Sequence, residues 1–349
     1  MKPKDVFLTK LQRGIAPGVS VGSATSIVTT DLMDKLDIPF PEAHLEPEKM
    51  AMLAAAGHTE LGFDNVMPLF SVWHESAALG CRIDWGNKGR MPDGHPMCSS
   101  IDDSFSIPPS LLKEPGCAVP LEALHLLKKE VGDQAAVVGK VFGPWTLGYH
   151  VFGVEEFLVS TLLKPDKVKQ VMRQLIEVTL AFAEAQIESG VDAITLADHC
   201  TRDLCSPDSY RDFLAEIHQE LHERIRCPLI LHICGDTSDR LQYIRETGIE
   251  CFHFDSKVPT ADARRLAGEK LSLMGGTSNI DVILNGSPEL IEEDVVEKLQ
   301  VGVDIIGPEC AVPLDASYES LKILAEVARR LSSEQDAAVD QGPVEKPCS

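Results

Sequence analysis

The chain has 349 residues, and its 54 acidic side chains against 32 Lys plus Arg give a net charge of −22 at neutral pH. This charge argues against a nucleic-acid backbone or an anionic membrane surface as the main partner, because both would be repelled. A content of 44% hydrophobic and 25% charged residues is typical of a globular protein with a large core. No apolar run reaches the roughly 20 residues of a membrane helix, and the N-terminus lacks an apolar signal core. We therefore expect a cytoplasmic protein.

The ten cysteines do not indicate a disulfide framework, because the chain is long and shows no export signal. Thiols of cytosolic proteins are mostly reduced, and some serve as metal ligands. The cysteines that stand singly beside apolar residues are predicted to be small buried hydrophobes. They are Cys81, Cys117, Cys227 and Cys251.

Short apolar segments rich in β-branched residues alternate with longer amphipathic stretches, which indicates a parallel sheet wrapped by helices. The first two predicted strands are Gly18–Ile27 and Phe63–Phe70, and a helix at Pro47–Leu61 lies between them. Six more strands are predicted at Ala135–Phe142, Val191–Ala197, Pro228–Ile233, Ile249–Asp255, Leu271–Gly275 and Val303–Ile306. The intervening helices are predicted at Pro165–Ser189, from Ser206 to Arg226, from Asp236 to Gly248, at Thr260–Ala267, from Ser287 to Val301 and at Ala316–Leu331.

Eight strand–helix units predict a (β/α)8 TIM barrel, formed by residues 1–331 as a single domain. A doubly wound open sheet is the alternative, but no GxGxxG motif follows the first strand. Residues 81–120 interrupt the alternation with a segment rich in Gly, Pro and Asp, which predicts a hairpin-like insertion over one mouth of the barrel. Residues 332–349 are predicted to form a disordered tail.

Candidate ligand residues occur where two predicted strands end. The active site of such a barrel lies at the carboxyl ends of its strands. His232 and Cys234 are two residues apart and therefore point the same way, and Cys310 follows the last strand. One imidazole and two thiols suit a tetrahedral Zn²⁺ site with one position left open. A His-x-Cys sequence at a strand end is also common as ordinary packing, and spacing alone does not decide between the two.

The same residues carry a family resemblance that covers most of the chain. His232-Ile233-Cys234, with Cys310 in Pro308–Pro313, resembles the zinc signature of the methylcobamide:coenzyme M methyltransferases, which belong to the uroporphyrinogen decarboxylase superfamily of barrels. Other segments that resemble blocks of this family are His44–Met50, Gly62–Asn65, Glu75–Gly80, Gly143-Pro144, and Asn279 with Asp281.

The resemblance implies a methyltransferase in which Zn²⁺ activates a small thiol, coenzyme M or an analogue. The thiolate would attack the methyl group of a methylcobamide, which a separate corrinoid protein presents. Two alternatives stay open within the family: an acceptor other than a thiol, such as a folate, or a reaction that methylates the corrinoid. A third is a non-catalytic barrel that binds a corrinoid protein.

Four further residues are candidates for the site. Glu75 matches a glutamate of the family, and it is expected either to fill the fourth zinc position until substrate arrives or to be a surface carboxylate. Asp198 ends a predicted strand and is expected to contact substrate or to support a ligand. On the sixth strand, His253 is expected in the barrel interior and only Asp255 near the site. Asn279 is a candidate for cofactor binding in a Gly-rich loop, which is otherwise an ordinary turn.

The decarboxylase branch of the superfamily is the nearest rival. Decarboxylases of this branch use no metal and recognise a polyanionic tetrapyrrole through N-terminal arginines, but residues Gly18–Asp31 contain no arginine. Decarboxylation is therefore rejected. The chain also departs from the methyltransferase pattern at His199, Cys200 and Cys205, and at Glu309, where small or polar residues and a Gly are common. These differences leave the identity of the acceptor open.

Overall fold

Eight parallel strands form the barrel that the alternating sequence pattern predicts. The structure, a computed structural model, describes residues 1–340. The strands are β1 (Ser20–Val21), β2 (Asn65–Val66), β3 (Arg82–Asp84), β4 (Asp93–His95), β5 (Ala136–Phe142), β6 (Ala193–Ala197), β7 (Leu229–His232), β8 (Cys251–Phe254), β9 (Ser272–Gly275) and β10 (Ile305–Ile306). All except β3 and β4 belong to one sheet in the order β1-β10-β9-β8-β7-β6-β5-β2, which confirms the predicted (β/α)8 fold.

Strands β1 and β2 are shorter than predicted, and hydrogen bonds of Asp64 and Asn65 connect them. The Asp64 backbone N–H donates to the carbonyl of Val21 over 2.8 Å. The Asp64 carboxylate accepts hydrogen bonds from Ser20 Oγ and from the Val21 N–H, both at 2.9 Å. The amide oxygen of Asn65 accepts from the N–H of Ser23 at 2.9 Å. These bonds satisfy buried polar groups where the two neighbouring strands have no regular ladder.

Helices surround the barrel. They are α1 (Pro3–Leu11), α2 (Thr30–Leu36), α3 (Glu42–Leu45), α4 (Pro47–Thr59), α5 (His74–Leu79), α6 (Pro115–Glu130), α7 (Pro144–Phe152), α8 (Val154–Leu163), α9 (Pro165–Glu188), α10 (Pro207–Ser209), α11 (Glu216–Arg224), α12 (Leu241–Glu246), α13 (Thr260–Ala267), α14 (Pro288–Val301) and α15 (Tyr318–Asp340). Three short helical segments of other types occur at Leu111–Lys113, Tyr210–Ala215 and Asn279–Leu284. Within residues 1–340, no helix is long and apolar enough to cross a membrane.

Capping hydrogen bonds explain two of the predicted helix starts, whereas a third helix begins later than predicted. Ser206 and Ser287 each accept a hydrogen bond from the N–H three residues on, as N-cap residues do. Asp236 instead accepts from the N–H of Ser238 in a turn, and the helix that it was expected to cap begins at Leu241. An Asp before a polar pair satisfies a turn as readily as a helix start.

Two predicted boundaries shift in the structure. The insertion contains the expected hairpin, β3 paired antiparallel with β4, but helix α6 already begins at Pro115. The insertion therefore ends before residue 120. Pro115 can begin the helix because proline in the first turn costs no hydrogen bond. Helix α15 continues to Asp340 instead of ending at Leu331. The rest of the predicted disordered tail, residues 341–349, lies outside the described residues.

Strand β5 shows what the barrel interior accepts. All seven of its residues are buried, as expected when helices cover the outside and side chains fill the inside. Lys140 in the middle of the strand is the exception to its apolar character. The isolated cysteines behave largely as predicted: Cys81, Cys117 and Cys251 are buried, and Cys227 is half-buried.

Candidate metal centre and active site

The three predicted ligands converge at the carboxyl end of the barrel. His232 Nε2 lies 3.0 Å from Cys234 Sγ and 3.5 Å from Cys310 Sγ, and the two sulfur atoms are 3.1 Å apart. Within the described residues they form the one group of three or more His, Cys, Asp or Glu side chains arranged to hold a metal ion. Strand β7 supplies His232, the turn after it Cys234, and the loop after β10 Cys310.

His253 orients the imidazole of His232. Its Nε2 lies 2.8 Å from the carbonyl oxygen of Pro308, which can only accept, so Nε2 carries the proton. Its Nδ1 therefore accepts from His232 Nδ1–H over 2.7 Å. This tautomer leaves His232 Nε2 with a free lone pair beside the two thiols. Burial lowers the pKa of His253 well below its usual value, so the ring is the neutral acceptor that the arrangement requires.

A glycine makes room for this contact. Gly275 has φ +92°, and a Cβ there would lie 2.7 Å from His253 Nε2 and 2.9 Å from the Pro308 carbonyl oxygen. Any larger residue would push the ring away from its acceptor. In the Gly-rich loop that leads to Asn279, Gly275 therefore has a packing function.

The two cysteine thiols share a hydrogen bond. Their mutual hydrogen bond lowers the pKa of the Cys310 thiol well below its ordinary value and raises that of Cys234. This is the arrangement of one thiolate that accepts a hydrogen bond from the proton of the other thiol. A metal ion would displace that proton, since thiolate sulfur is the ligand form. Two sulfurs and one imidazole nitrogen are the donor set of a catalytic zinc site with an open position, so the residues present fit Zn²⁺.

The ligands lie at the wall of a cavity of about 340 Å³. Its apolar and aromatic lining consists of Phe70, Val72, Trp73, Met91, Phe142, Tyr149, Val154, Ala197 and Ala311. Its polar lining consists of Thr25, Lys140, Thr146, His150, Asp198 and His199, together with the three ligands. Among the described residues that line it, Lys140 is the only Lys or Arg. This size and composition suit a small molecule with an apolar body.

Glu75 is not a surface carboxylate, so that alternative from the sequence is wrong. It lies in α5 and is fully buried. Its Oε1 accepts from the backbone N–H of Phe142 at 2.8 Å, and its Oε2 has no partner within the described part of the chain. Burial raises its pKa to about 7. Glu75 is not in the ligand group, so its role as a resting zinc ligand stays a prediction.

Asp198 borders the cavity as predicted, but both of its oxygens are already bonded. Oδ1 accepts from the N–H and the hydroxyl of Thr146 at 2.8 and 2.9 Å, and Oδ2 lies 3.1 Å from His218 Nε2. The carboxylate therefore fixes the start of α7 beside the site. Its neighbour His199 lines the cavity, whereas Cys200 and Cys205 are buried.

Asp255 and Asn279 support the loops that carry the thiols. Asp255 accepts from the N–H of Gly235, next to Cys234, at 2.8 Å. The side-chain amide of Asn279 donates to the carbonyl of Ala311, next to Cys310, over 2.8 Å. Neither residue lines the cavity. Direct roles in catalysis for Asp255 and in cofactor binding for Asn279 therefore stay predictions.

Glu309 supports the same loop and does not line the cavity. Its two oxygens accept from the backbone N–H groups of Ser256 at 2.9 Å and Asn279 at 2.8 Å. The carboxylate thereby ties the loop that carries Cys310 to the ends of β8 and β9. A glycine at this position could make neither bond.

Comparisons with known proteins identify the family of the chain. The sequence model of the uroporphyrinogen decarboxylase family (URO-D) matches residues 4–331. The methylated-thiol–coenzyme M methyltransferase of Methanosarcina mazei is 33% identical over 92% of this chain and 88% of its own. The methylcobamide:CoM methyltransferase MtaA of Methanosarcina barkeri is 30% identical over 92% of this chain and 96% of its own. The chain belongs to the methylcobamide:coenzyme M methyltransferase family.

A solved structure supports the same assignment. A methyltransferase from Methanosarcina mazei superimposes with a TM-score of 0.91 at 30% identity and covers 95% of this chain and 99% of its own. The methyltransferase described here is thus an enzyme of the methylcobamide:coenzyme M type, and the alternative of a non-catalytic barrel is not supported.

Proposed function

We propose that this enzyme is zinc-dependent and transfers a methyl group from a methyl-Co(III) corrinoid, carried by a partner protein, to a small thiol such as coenzyme M. The observation that carries the proposal is the convergence of His232 Nε2, Cys234 Sγ and Cys310 Sγ beside an apolar cavity. The names of the relatives, which include methylcobamide and coenzyme M, support the donor and the acceptor.

The ligand set explains how a thiol would become reactive. When bound, Zn²⁺ supplies a Lewis acid that keeps a substrate thiol deprotonated near neutral pH, although a free thiol has a pKa of about 8.5. Cys234 and Cys310 together contribute two negative charges and His232 none. The charge of the ion is therefore already neutralised by the protein, and the substrate sulfur keeps its full negative charge for attack.

The cavity supplies orientation for a small substrate. Its aromatic walls hold the body of a small substrate. They include Trp73, whose ring stacks on that of His150 with the ring centroids 4.0 Å apart. The thiolate sulfur would form a bond to the methyl carbon as the carbon–cobalt bond breaks. The electron pair of the broken bond would stay on cobalt, which would leave as Co(I). The corrinoid carries the difficult chemistry, while the protein positions the nucleophile.

A second candidate runs the same step in the opposite direction. The name of the Methanosarcina mazei relative includes a methylated thiol. In this candidate, a methylated thiol in the cavity would donate its methyl group to Co(I) and leave as the thiolate. The same three ligands would then stabilise the leaving group instead of the nucleophile.

The test is methyl transfer between free methylcobalamin and a panel of thiols and tetrahydrofolate, followed through the absorbance of Co(I). Zinc-loaded protein should methylate at least one thiol, and metal-free protein should not. The reverse reaction is measured with Co(I) cobalamin and methylated thiols, and the faster direction identifies the candidate. Zinc-independent transfer, or transfer to the folate alone, would contradict the zinc–thiol proposal.

A further inference from the structure

A substrate thiol that becomes a thiolate at the metal centre must give up one proton, so the cavity needs a group that accepts it. Eight of the described residues that line the cavity have a titratable side chain. Three of them are the metal ligands, and the other five are Lys140, Tyr149, His150, Asp198 and His199. A proton acceptor needs a lone pair that no other group occupies and a position from which the proton can reach water.

Four of these five side chains do not meet both conditions. The two carboxylate oxygens of Asp198 are already engaged in hydrogen bonds. His150 Nδ1 lies 2.7 Å from Ser76 Oγ, and burial lowers the pKa of this ring to about 3. Burial also lowers the pKa of Lys140 to about 8, so at pH 7 this side chain is mostly an ammonium without a lone pair. Tyr149 keeps its own proton, because burial raises the pKa of the phenol.

His199 meets both conditions. Its side chain lines the cavity and the residue is exposed, so the ring borders both the cavity and solvent. Its ring contacts that of Tyr149 edge-on, with the centroids 6.5 Å apart, and neither ring nitrogen has a hydrogen-bond partner within residues 1–340. Desolvation on the cavity side lowers the pKa of His199. The ring is therefore mostly neutral at pH 7, and one nitrogen carries a free lone pair.

The surroundings of His199 also suit a ring that is protonated briefly. The carboxylate of Asp198 raises the pKa of His199 and opposes the effect of desolvation, as Cys310 does, whereas His232 lowers it. The titratable groups that face it from the neighbouring elements are Tyr149 and His150 on α7, Asp198 after β6, His232 on β7 and Cys310 after β10.

The loop that carries His199 is anchored by buried contacts. The backbone N–H of His199 donates to Thr146 Oγ1 over 2.7 Å. The buried guanidinium of Arg240 donates to the carbonyl oxygens of Cys200 and Cys205 over 2.5 and 2.7 Å. Both cysteines depart from the family pattern in the sequence, and both are buried. The backbone therefore fixes the ring at the edge of the cavity, while the ring nitrogens stay available.

We propose that His199 is the proton acceptor for the substrate thiol. The S–H bond breaks, its electron pair stays on sulfur, and the proton moves to the free ring nitrogen and from there to water. The inference rests on the proposed function and adds the residue that makes the protonated thiol usable. Without such a base, the enzyme would depend on thiolate that has already formed in solution, which is a few per cent of the thiol at pH 7.

The test measures how the association rate of a thiol depends on pH. Zinc-loaded protein is mixed with 2-mercaptoethanesulfonate in dilute buffer by stopped flow. Tryptophan fluorescence reports binding, because Trp73 lines the cavity, and an indicator dye reports the released proton. The parent should bind at a nearly constant rate between pH 7 and 8.5. In His199→Gln the rate should be about 30-fold lower at pH 7 and should rise about tenfold per pH unit, since only thiolate from solution then binds.

His125→Gln is the matched control, because it makes the same change at an exposed histidine of α6 that does not line the cavity. It should behave like the parent. Free imidazole should restore part of the rate that His199→Gln loses at pH 7, which a merely structural role would not explain. Equal rates in His199→Gln and the parent at every pH would overturn this inference and leave the proposed function standing. If the parent releases no proton when it binds the thiol, the proposed function fails, and the inference fails with it.

Discussion

The Nδ1 atoms of His232 and His253 lie 2.7 Å apart, and the far nitrogen of His253 is anchored on the carbonyl of Pro308. Pro308 is two residues before Cys310, so one hydrogen-bonded chain links the imidazole ligand to the loop that carries a thiol ligand. Such supporting contacts fix both the tautomer and the direction of a ligating histidine.

Replacing His253 by Phe should lower the affinity for zinc by about 10- to 100-fold, because the His232 N–H loses its acceptor and the ring is free to turn. His253→Gln, whose amide oxygen can accept, should lose less. Zinc affinity is measured by competition with a chelator of known affinity. Met274→Leu, at the position paired with His253 on β9, is the control, and an unchanged affinity in His253→Phe would remove the orienting role.

Replacing Cys310 by Ala should sharply reduce the zinc content, since only one sulfur and one imidazole remain. Metal analysis of purified protein gives the zinc content, and circular dichroism verifies the fold. Cys251→Ala is the matched control, because this thiol is fully buried on β8 and does not line the cavity. Full retention of tightly bound zinc in Cys310→Ala would exclude the proposed centre.

Binding of a thiol substrate to the zinc-loaded protein should release about one proton near neutral pH, because a free thiol with a pKa near 8.5 arrives protonated. Calorimetry in buffers of different ionisation enthalpy counts the protons. X-ray absorption should show one added sulfur around the metal. The uncharged alcohol ethanol is the control ligand and should cause neither change. If the thiol also causes neither, it is not activated at zinc.

The buried carboxyl of Glu75 should make stability depend on pH. Burial raises its pKa to about 7 from 4.5, so the folded protein retains a proton that the unfolded chain has lost between these values. The ionised form is therefore destabilising above pH 7, and the penalty vanishes below pH 4.5. Relative to the parent, Glu75→Gln should gain stability as the pH rises through this range, by on the order of 3 kcal/mol.

Urea unfolding at several pH values measures the gain expected for Glu75→Gln. Glu246→Gln, at an exposed position, serves as the control and should show no such trend. Zinc content measured on the same samples tests the other prediction for Glu75: a resting ligand whose loss leaves three strong donors should leave zinc bound. A stability difference that is flat with pH would mean that Glu75 is ionised in the folded state at no cost.

Local sequence periodicity predicted the fold and placed three candidate ligands at one rim of the barrel. Buried apolar residues recur at different spacings in strands and in helices, so the alternation of the two patterns identifies eight units. Parallel strands of a barrel bring their carboxyl ends to one rim. His232, Cys234 and Cys310 stand at such ends, and their chemistry makes them candidate ligands, but the choice between a metal site and ordinary packing needed the family resemblance. The same reasoning placed Asp198 at the cavity.

Only the tertiary structure decided which neighbours complete the site. Periodicity gives the face on which a residue lies but not its height relative to the next strand. His253 was therefore expected only in the interior, although the register of β7 and β8 sets it level with His232. Burial of Glu75 and of Lys140 likewise depends on contacts between distant segments. Such contacts are set by how strands and helices pack, because hydrogen bonds and desolvation depend on distances that no local pattern encodes.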